Sequence, residues 1–352
     1  MQSTKTILTE KPLSCLDAFK IERILVTHID LDGISPIVLS MLYHLKFDLI
    51  YTWNYSDINA KELIELHPEE IIMTDLSFED ESDMKKVIDA GIKIKVFDHH
   101  KTAEYLSKYE GCVIDMERCG TKIFYEEYVK PLITQKGLTE SETVIEYVEL
   151  VDIFDRWQNS NPKWHLALNL NRFFDVLTRK IDNYDENIGK RLSMNVASAN
   201  ILRNLDRTLI MTEMFNTFIL GACLSLRVHK LPEQYIFEYS KAVSTIVRLE
   251  RAAYRYAVKS LVMKETKDGV KYGICNGMRF PSVVMNEILK KNEDITFLIG
   301  VYGSGKMSIR AKAPFDLTTI PIFRGHPQAC GGKIDSEKIN LLFSNGIESI
   351  IA

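Results

Sequence analysis

The chain has 352 residues, and its 44 Lys and Arg against 48 Asp and Glu give a formal net charge of −4. A composition of 46% hydrophobic and 26% charged residues indicates a globular protein of about two domains, and it excludes a collagen, a disordered tail and a disulfide-rich miniprotein. The charge balance excludes a broad basic surface for long nucleic acids, so a nucleic-acid substrate should be short or bound locally.

The cysteines and the apolar stretches indicate the cellular compartment of the protein. None of the 6 cysteines belongs to a Cys-x-x-Cys pair, which argues against a zinc site and a disulfide framework and favours a reducing compartment. Residues 1–12 lack the apolar run of a signal peptide. The most apolar stretch, residues 214–226, is about half as long as a bilayer requires and is expected to be a buried helix. We therefore expect a cytoplasmic protein without a membrane partner.

The first part of the chain alternates two kinds of segment. Short β-branched runs predict buried strands, and the amphipathic stretches between them predict helices. The predicted strands are 23–27, 49–53, 71–74 and 93–97, and the predicted helices are 37–45, 60–66 and 79–90. This alternation predicts an α/β fold with a doubly wound, mainly parallel sheet.

The remainder changes character twice. Residues 121–260 have helical periodicity, and strand signals return after residue 260. The predicted helices are 142–154, 195–208, 233–259 and one that follows Pro281, and the predicted strands are 261–265, 272–275, 296–302 and 307–312. We expect three parts: a sheet domain at 1–160, a helical insertion or connector at 161–260, and a smaller α+β domain at 261–352.

Acidic and histidine side chains follow the predicted strands at the points where the strands end. They are His28, Asp30 and Asp32 after the first strand, Asp75 after the third, and Asp98, His99 and His100 after the fourth, with Asp152 at the end of the apolar stretch 148–151. A single Asp after a strand is often only a helix cap or a turn residue. The carboxyl ends of parallel strands meet at one edge, however, so three such clusters predict one shared pocket.

A pocket of this composition requires positive charge, because carboxylates at close range repel one another. Divalent cations provide it. Mixed Asp and His ligands favour Mn, Zn or Fe over Ca, and Mn or Mg is favoured where carboxylates predominate.

The motifs resemble those of the DHH phosphoesterase superfamily. The four motifs occur in order as HIDLDG at 28–33, Asp75, DHH at 98–100, and Asp152. The string GHPQACGG at 325–332 is similar to the signature GGGHxxAAG of the DHH-associated C-terminal domain, and EYVELVDIFDRW at 146–157 is most similar to the NrnB type of oligoribonuclease.

The resemblance implies a dinuclear site with two divalent metal ions, Mn²⁺ first and Mg²⁺ or Co²⁺ as alternatives. Such a pair activates water and stabilises both the attacking and the leaving oxygen of an in-line displacement. The implied catalytic residues are Asp98, which would orient His99, and His100, which would contact the scissile phosphate. The implied metal ligands are His28, Asp30, Asp32, Asp75 as the bridge, His99 and Asp152. Asp155 stays open as an alternative to Asp152.

The same resemblance assigns substrate binding to the C-terminal domain. The implied residues are Arg310, Gly325, His326, Gly331 and Gly332. Arg324 stands where the family has glycine, and this departure puts the size of the substrate in question.

The implied function is a metal-dependent phosphodiesterase or exonuclease that hydrolyses short RNA oligonucleotides to nucleoside 5′-monophosphates. Its substrate partner would be a short single-stranded RNA or a dinucleotide. A cyclic-dinucleotide phosphodiesterase and a phosphatase of pAp stay open as alternatives, and a non-catalytic nucleotide sensor is a more remote one. A homodimer is one option for the oligomeric state.

Overall fold

The computed structural model describes residues 21–53, 58–178, 233–277 and 279–351. Within it the chain forms two compact units, Met1–Val243 and Ser244–Ala352. The predicted helix 195–208 and the apolar stretch 214–226 lie outside the described residues. The division into three parts at residues 160 and 260 therefore stays a prediction.

A parallel sheet of five strands forms the centre of the first unit. Its spatial order is β2-β1-β3-β4-β5, and every neighbouring pair is parallel. The strands are β1 (Arg23–Thr27), β2 (Leu49–Thr52), β3 (Glu70–Thr74), β4 (Lys93–Asp98) and β5 (Cys112–Ile114). The chain moves outward from β1 to β2 and then crosses back over β1 to β3, so the predicted doubly wound sheet is confirmed.

Helices cover both faces of this sheet. They are α1 (Leu31–Leu42), α2 (Ala60–Glu65), α3 (Glu81–Asp89), α4 (Gly120–Phe124), α5 (Lys130–Gln135), α6 (Glu142–Asp155) and α7 (Trp164–Thr178), with a 3-10 helix at Lys101–Lys108 and a π turn at Tyr125–Val129. Successive residues of a strand face opposite sides. Leu25 of β1 accordingly packs in a core with α1, α4, α6 and α7, whereas its neighbours Ile24 and Val26 pack in a second core with α2 and α3.

The first helix begins at Leu31, whereas the sequence predicted a start at residue 37. Pro36 lies inside the helix, where it cannot donate a hydrogen bond to the carbonyl four residues earlier. That carbonyl belongs to Asp32, and it accepts the hydroxyl of Thr121 at 2.5 Å instead. A side chain from a distant part of the chain thus replaces the missing main-chain hydrogen bond.

A mixed sheet of six strands forms the second unit, in the order β10-β11-β9-β8-β7-β6. Only β7 and β8 pair in parallel, and the other neighbouring strands are antiparallel. The chain enters this unit within α8 (Glu233–Lys259), which begins before the boundary at Ser244. The following elements are β6 (Val262–Glu265), β7 (Lys271–Asn276), α9 (Pro281–Lys291), β8 (Phe297–Val301), β9 (Lys306–Ala311), β10 (Phe323–His326), β11 (Ala329–Lys333), α10 (Ile339–Asn345) and α11 (Glu348–Ile351).

The second unit has a hydrophobic core of its own. Phe297 lies between Tyr272 and Phe315, with ring centroids 4.7 Å and 5.2 Å apart, and all three rings are nearly parallel. The hydroxyl of Tyr272 accepts the N–H of Ile347 at 2.7 Å, which ties the C-terminal helices to the sheet. The predicted α+β character of this part is confirmed. Within the described residues, no helix combines the length and the apolarity that crossing a membrane would need.

The hairpin between β8 and β9 gives a test of this fold. Gly305 has φ +79°, and a Cβ at this position would lie 1.9 Å from the carbonyl oxygen of Ile334. We expect Gly305→Ala to lower the free energy of unfolding by about 2 kcal/mol or more, because both the backbone conformation and the close approach require glycine. Gly303 is the matched control, since a Cβ there would meet nothing within 4 Å. Thermal unfolding of both variants measures the effect, and equal melting temperatures would contradict it.

Candidate metal centre

The side chains singled out in the first unit lie at one edge of the parallel sheet. β1, β3 and β4 are neighbours in the sheet, and the three clusters follow the ends of these strands. Thr27 and Thr74 close the strands, and their hydroxyl groups are hydrogen-bonded to each other at 2.7 Å. The strand order therefore brings together residues that are up to 72 positions apart (28 to 100) in the sequence.

Glycine at position 33 lets the first helix begin directly above the end of β1. A Cβ at this position would lie 2.3 Å from the carbonyl oxygen of His28, so a residue with a side chain would force the backbone apart. The N–H of Gly33 donates to Asp30 Oδ1 at 3.0 Å and orients this carboxylate. The close approach of Gly33 to His28 and the hydrogen bond from Gly33 to Asp30 thus fix the loop from His28 to Gly33.

One group of candidate ligands consists of His28, Asp30 and Asp75, each of which offers an atom within 4.8 Å of the others. Nδ1 of His28 lies 3.0 Å from Asp30 Oδ2 and 3.5 Å from Asp75 Oδ2. Two carboxylates thus converge on one imidazole nitrogen.

A second group consists of Asp32, His99 and Asp155, with the same mutual spacing. Nε2 of His99 lies 3.4 Å from Asp155 Oδ2 and 3.7 Å from Asp32 Oδ2. It also lies 3.2 Å from Oδ1 of Asp75. Because the other oxygen of Asp75 faces His28, this carboxylate lies between the two groups.

Asp75 occupies this position through an unusual backbone conformation. Its φ is +52°, in the left-handed region that Asp tolerates better than most residues, and it is only 2% exposed. Its N–H donates to the carbonyl of Phe97 at 2.9 Å, which ties the turn after β3 to the neighbouring strand β4. The surrounding structure therefore holds a conformation that the isolated turn would rarely adopt.

The carboxylates of this site repel one another where little water is present. Burial, together with the charges of Asp32 and Asp30, raises the pKa of Asp75 well above its usual value. Burial likewise raises the pKa of Asp155 well above the ordinary range. Burial lowers the pKa of His28, but Asp30 and Asp75 outweigh it and raise the value to about 11. The cluster consequently requires positive charge from protons or from cations.

Two buried oxygens show that cations fit here. In the described part of the chain, Oδ2 of Asp75 and Oδ2 of Asp155 accept no hydrogen bond, although buried carboxylate oxygens almost always do. Carboxylate oxygens and imidazole nitrogens together suit Mn, Zn or Fe. His28 and Asp30 could hold one ion, Asp32, His99 and Asp155 could hold the other, and Asp75 could serve both.

The structure places Asp155 in this cluster, whereas the sequence favoured Asp152. Asp152 lies one turn earlier on α6, and Oδ1 of its carboxylate accepts the N–H of Cys119 at 2.8 Å. Its other oxygen accepts Nε2 of Gln158 at 3.1 Å. Within the described ranges, no group of possible ligands includes Asp152. We therefore replace Asp152 by Asp155 in the proposed ligand set.

The DHH triplet also differs in detail from the sequence-based expectation. Oδ1 of Asp98 accepts the N–H of His99 at 2.7 Å and lies 2.6 Å from Nδ1 of His100. Asp98 therefore orients the imidazole of His100, whereas we expected it to orient that of His99. Burial raises the pKa of Asp98, but the His100 and His99 charges outweigh it, so that its pKa lies below the usual value.

The expected substrate residues of the second unit lie on three neighbouring strands. Arg310 is on β9, opposite Ala329 of β11, and the two expected glycines of β11 are Gly331 and Gly332. His326 ends β10, and Gly325 on the same strand has φ +134°. A Cβ at Gly325 would lie 2.6 Å from the carbonyl oxygen of Ala329, so the hairpin itself already requires this glycine. The role of these residues toward a substrate stays a prediction.

The sequence analysis missed one structural part of the site, the N-terminus of α4. The N–H groups of Gly120 and Thr121 donate to the two carboxylate oxygens of Asp32 at 2.7 Å and 2.8 Å. A Gly-Thr pair at a helix start was the available signal, but its partner is 88 residues away.

A scan against models of protein families finds no match. The chain is similar to a 3′,5′-cyclic-nucleotide phosphodiesterase of Helicobacter pylori, with 23% identity over 335 residues that cover 88% of this chain and 92% of that protein. It is also similar to oligoribonuclease NrnB of Bacillus subtilis, with 26% identity over 185 residues that cover 48% of this chain and 45% of NrnB.

Among solved structures, RecJ of Thermus thermophilus in complex with Mn²⁺ matches with a TM-score of 0.53 and 14% identity, over 94% of this chain and 52% of RecJ. This likeness shows the fold. RecJ and NrnB are members of the superfamily that the sequence motifs resemble. The curated relatives therefore support the resemblance to the DHH superfamily of phosphoesterases. The resemblance found in the sequence is thus confirmed, and the chain spans about half the length of RecJ.

Substitution of Asp155 and of Asp152 tests the revised ligand set. We expect Asp155→Asn to weaken binding of one of two Mn²⁺ ions by about 100-fold or more, because it removes a ligand rather than one of its supports. Asp152→Asn should retain both ions, since an amide oxygen can still accept the N–H of Cys119. Calorimetric Mn²⁺ titration measures both variants. Loss of an ion in Asp152→Asn, with two retained in Asp155→Asn, would restore the original assignment.

Proposed function

We propose that this protein is a metal-dependent phosphodiesterase of the DHH type that hydrolyses short RNA oligonucleotides to nucleoside 5′-monophosphates. The observation that carries the proposal is the pair of Asp and His groups that share Asp75. Two divalent ions, of which we propose Mn²⁺ first, would activate water and stabilise the attacking and leaving oxygens of the displacement.

The Asp98–His100 pair supplies the first proposed contact with the phosphate of the substrate. Asp98 is fully buried, and its lowered pKa keeps it negatively charged near neutral pH. A charged carboxylate 2.6 Å from Nδ1 fixes the imidazole ring of His100. His100 would then contact a phosphate oxygen, on which negative charge grows as water attacks.

Arg310 supplies the second proposed contact with the substrate. One guanidinium nitrogen donates to Ser282 Oγ at 2.6 Å and another to the carbonyl of Ile309 at 2.8 Å, so the side chain is held in place. Burial lowers its pKa to about 10, which still leaves it charged near pH 7. Among the described residues no carboxylate forms an ion pair with Arg310. A phosphate group of the substrate would provide the missing negative charge.

The charge of the whole chain supports a short substrate. A net charge of −4 gives no extended surface for phosphate neutralisation along a strand. The four described cysteines, Cys112, Cys119, Cys275 and Cys330, are all free thiols, which supports the further proposal of a cytoplasmic enzyme.

Hydrolysis of a 3′,5′-cyclic nucleotide is the second candidate function. The relative described as a 3′,5′-cyclic-nucleotide phosphodiesterase matches 88% of the chain, whereas NrnB matches 48%. Cleavage of short RNA to 5′-monophosphates and opening of a 3′,5′-cyclic nucleotide both add water to phosphorus and break the P–O3′ bond. Hydrolysis of cyclic dinucleotides or pAp breaks the same bond. The candidates therefore differ in how the nucleoside is bound and share the proposed chemistry.

A substrate panel separates these candidates. A 5′-labelled RNA ladder from the dinucleotide upward, a 3′,5′-cyclic mononucleotide, a cyclic dinucleotide and pAp are each incubated with Mn²⁺ or with chelator, and products are separated by chromatography. We expect metal-dependent release of 5′-monophosphates, fastest from the shortest linear RNA. Faster turnover of the cyclic mononucleotide would establish the second candidate. Bound Mn²⁺ without turnover of any substrate would indicate a nucleotide sensor.

Two substitutions test the division of roles in the proposed enzyme. Asp75→Asn should lower kcat by about 100- to 1,000-fold or more, because it alters the carboxylate that is proposed to hold both ions, which would stabilise the charge that develops on the phosphate. Arg310→Ala should chiefly raise KM, by about 10- to 100-fold, because it removes a charged hydrogen bond to bound substrate. Lys290→Ala, at the other end of α9 from Ser282, is the control and should change neither constant. Equal losses of kcat in the two variants would contradict this division.

A further inference from the structure

Three consecutive N–H groups at the start of α4 each donate to a carboxylate. We call residues Cys119–Thr121 the α4 turn. The N–H of Cys119 donates to Asp152 Oδ1 at 2.8 Å. The N–H groups of Gly120 and Thr121 donate to Oδ2 and Oδ1 of Asp32 at 2.7 Å and 2.8 Å. Both carboxylate oxygens of a proposed metal ligand are thus oriented by this turn.

The α4 turn also packs on the backbone of the shared ligand. A Cβ at Gly120 would lie 2.7 Å from Cβ and 2.8 Å from Cα of Asp75. The hydroxyl of Thr121 in addition donates to the carbonyl of Asp32 at 2.5 Å, the carbonyl that Pro36 leaves without its helical partner. A displacement of the turn would therefore move Asp32 and would leave Asp75 without its neighbour.

Neighbouring side chains of the protein compensate the negative charge of Asp152. It is 3% exposed, and its Oδ2 lies 3.1 Å from Nε2 of Gln158, 3.7 Å from Nζ of Lys122 and 4.0 Å from Nη1 of Arg156. These donors and charges hold the carboxylate in one orientation. A buried carboxylate that is so supported is suited to fix a backbone N–H, whereas Asp155 has a buried oxygen without a hydrogen bond.

We infer that Asp152 is a positioning residue, which holds the α4 turn in the place where the turn orients Asp32 and packs against Asp75. This inference rests on the metal pair of the proposed function. Because Asp152 and Asp155 lie on the same helix, α6 links the turn that supports two ligands to a third ligand. Supports of this kind contribute to metal affinity although they do not contact the ion.

The test compares Mn²⁺ affinity in variants of the full chain. We expect Asp152→Ala to weaken Mn²⁺ binding by about 10- to 100-fold, the size of effect typical of residues behind a ligand. Asp152→Asn should restore most of the affinity, because its amide oxygen can accept the N–H of Cys119. Glu149→Ala is the matched control. It lies on the same helix and contacts the same Lys122, at 2.8 Å, but among the described residues no hydrogen bond or ion pair joins it to the α4 turn, so the affinity should be unchanged.

An Asp152→Ala variant that is folded by circular dichroism and binds Mn²⁺ as the wild type does would overturn the inference. Absence of Mn²⁺ binding in the wild type would instead contradict the proposed function. In that case, or if Asp152→Ala fails to fold, hydrogen exchange in the wild type tests the inference. The measured quantity is the protection of amide hydrogens in peptides that cover residues 119–121. Protection without metal supports the inference, and protection that appears only with Mn²⁺ contradicts it.

Discussion

The repulsion between buried carboxylates is the constraint on which the rest of the first unit depends. Asp30, Asp32, Asp75 and Asp155 converge on two imidazoles within a few ångströms. Without compensating charge, such an arrangement would destabilise the folded protein by more free energy than most local interactions contribute. Main-chain N–H groups orient the carboxylates of Asp30 and Asp32, and a backbone hydrogen bond to β4 fixes the turn that carries Asp75. The proposed divalent ions would then enter a site whose ligands are already in place.

The backbone provides most of this order. Gly33 and Gly120 allow close approach at the two helix starts, where any Cβ would lie within 3 Å of backbone atoms. Asp75 turns the chain sharply after β3 through its left-handed conformation. Each of these features belongs to a connection at one edge of the sheet, which is where a parallel doubly wound fold places its ligands. The fold and the candidate chemistry are therefore consequences of the same strand order.

In the second unit, the candidate substrate residues differ in how far the fold itself explains them. Its glycines on β10 and β11 have structural reasons within the sheet, as the close approach of Gly325 to Ala329 shows. Arg310 stands apart from this explanation, because a half-buried guanidinium without a described carboxylate partner costs free energy unless an anion binds. The proposed assignment of substrate binding to this unit depends more on that charge than on the glycine signature.

The sequence by itself determined the parallel sheet, the second sheet after residue 260, and the residues at the strand ends. Strand signals at 23–27, 71–74 and 93–97 are local, and the rule that parallel strands present their carboxyl ends together then places His28, Asp75 and His99 at one edge. The sequence did not reveal β5, β10 and β11, because these strands are short or rich in glycine and have little periodicity of their own.

Only the tertiary structure decided which carboxylate of α6 joins the cluster. Asp152 and Asp155 are three residues apart, so a rotation of about 300° leaves them only some 60° apart on nearly the same face of the helix. The local sequence cannot separate them. The α4 turn distinguishes them, because the N–H of Cys119 donates to Asp152, whereas Asp155 lies next to His99. Contacts of this kind join residues more than 30 positions apart, and they exist only once the helices are packed on the sheet.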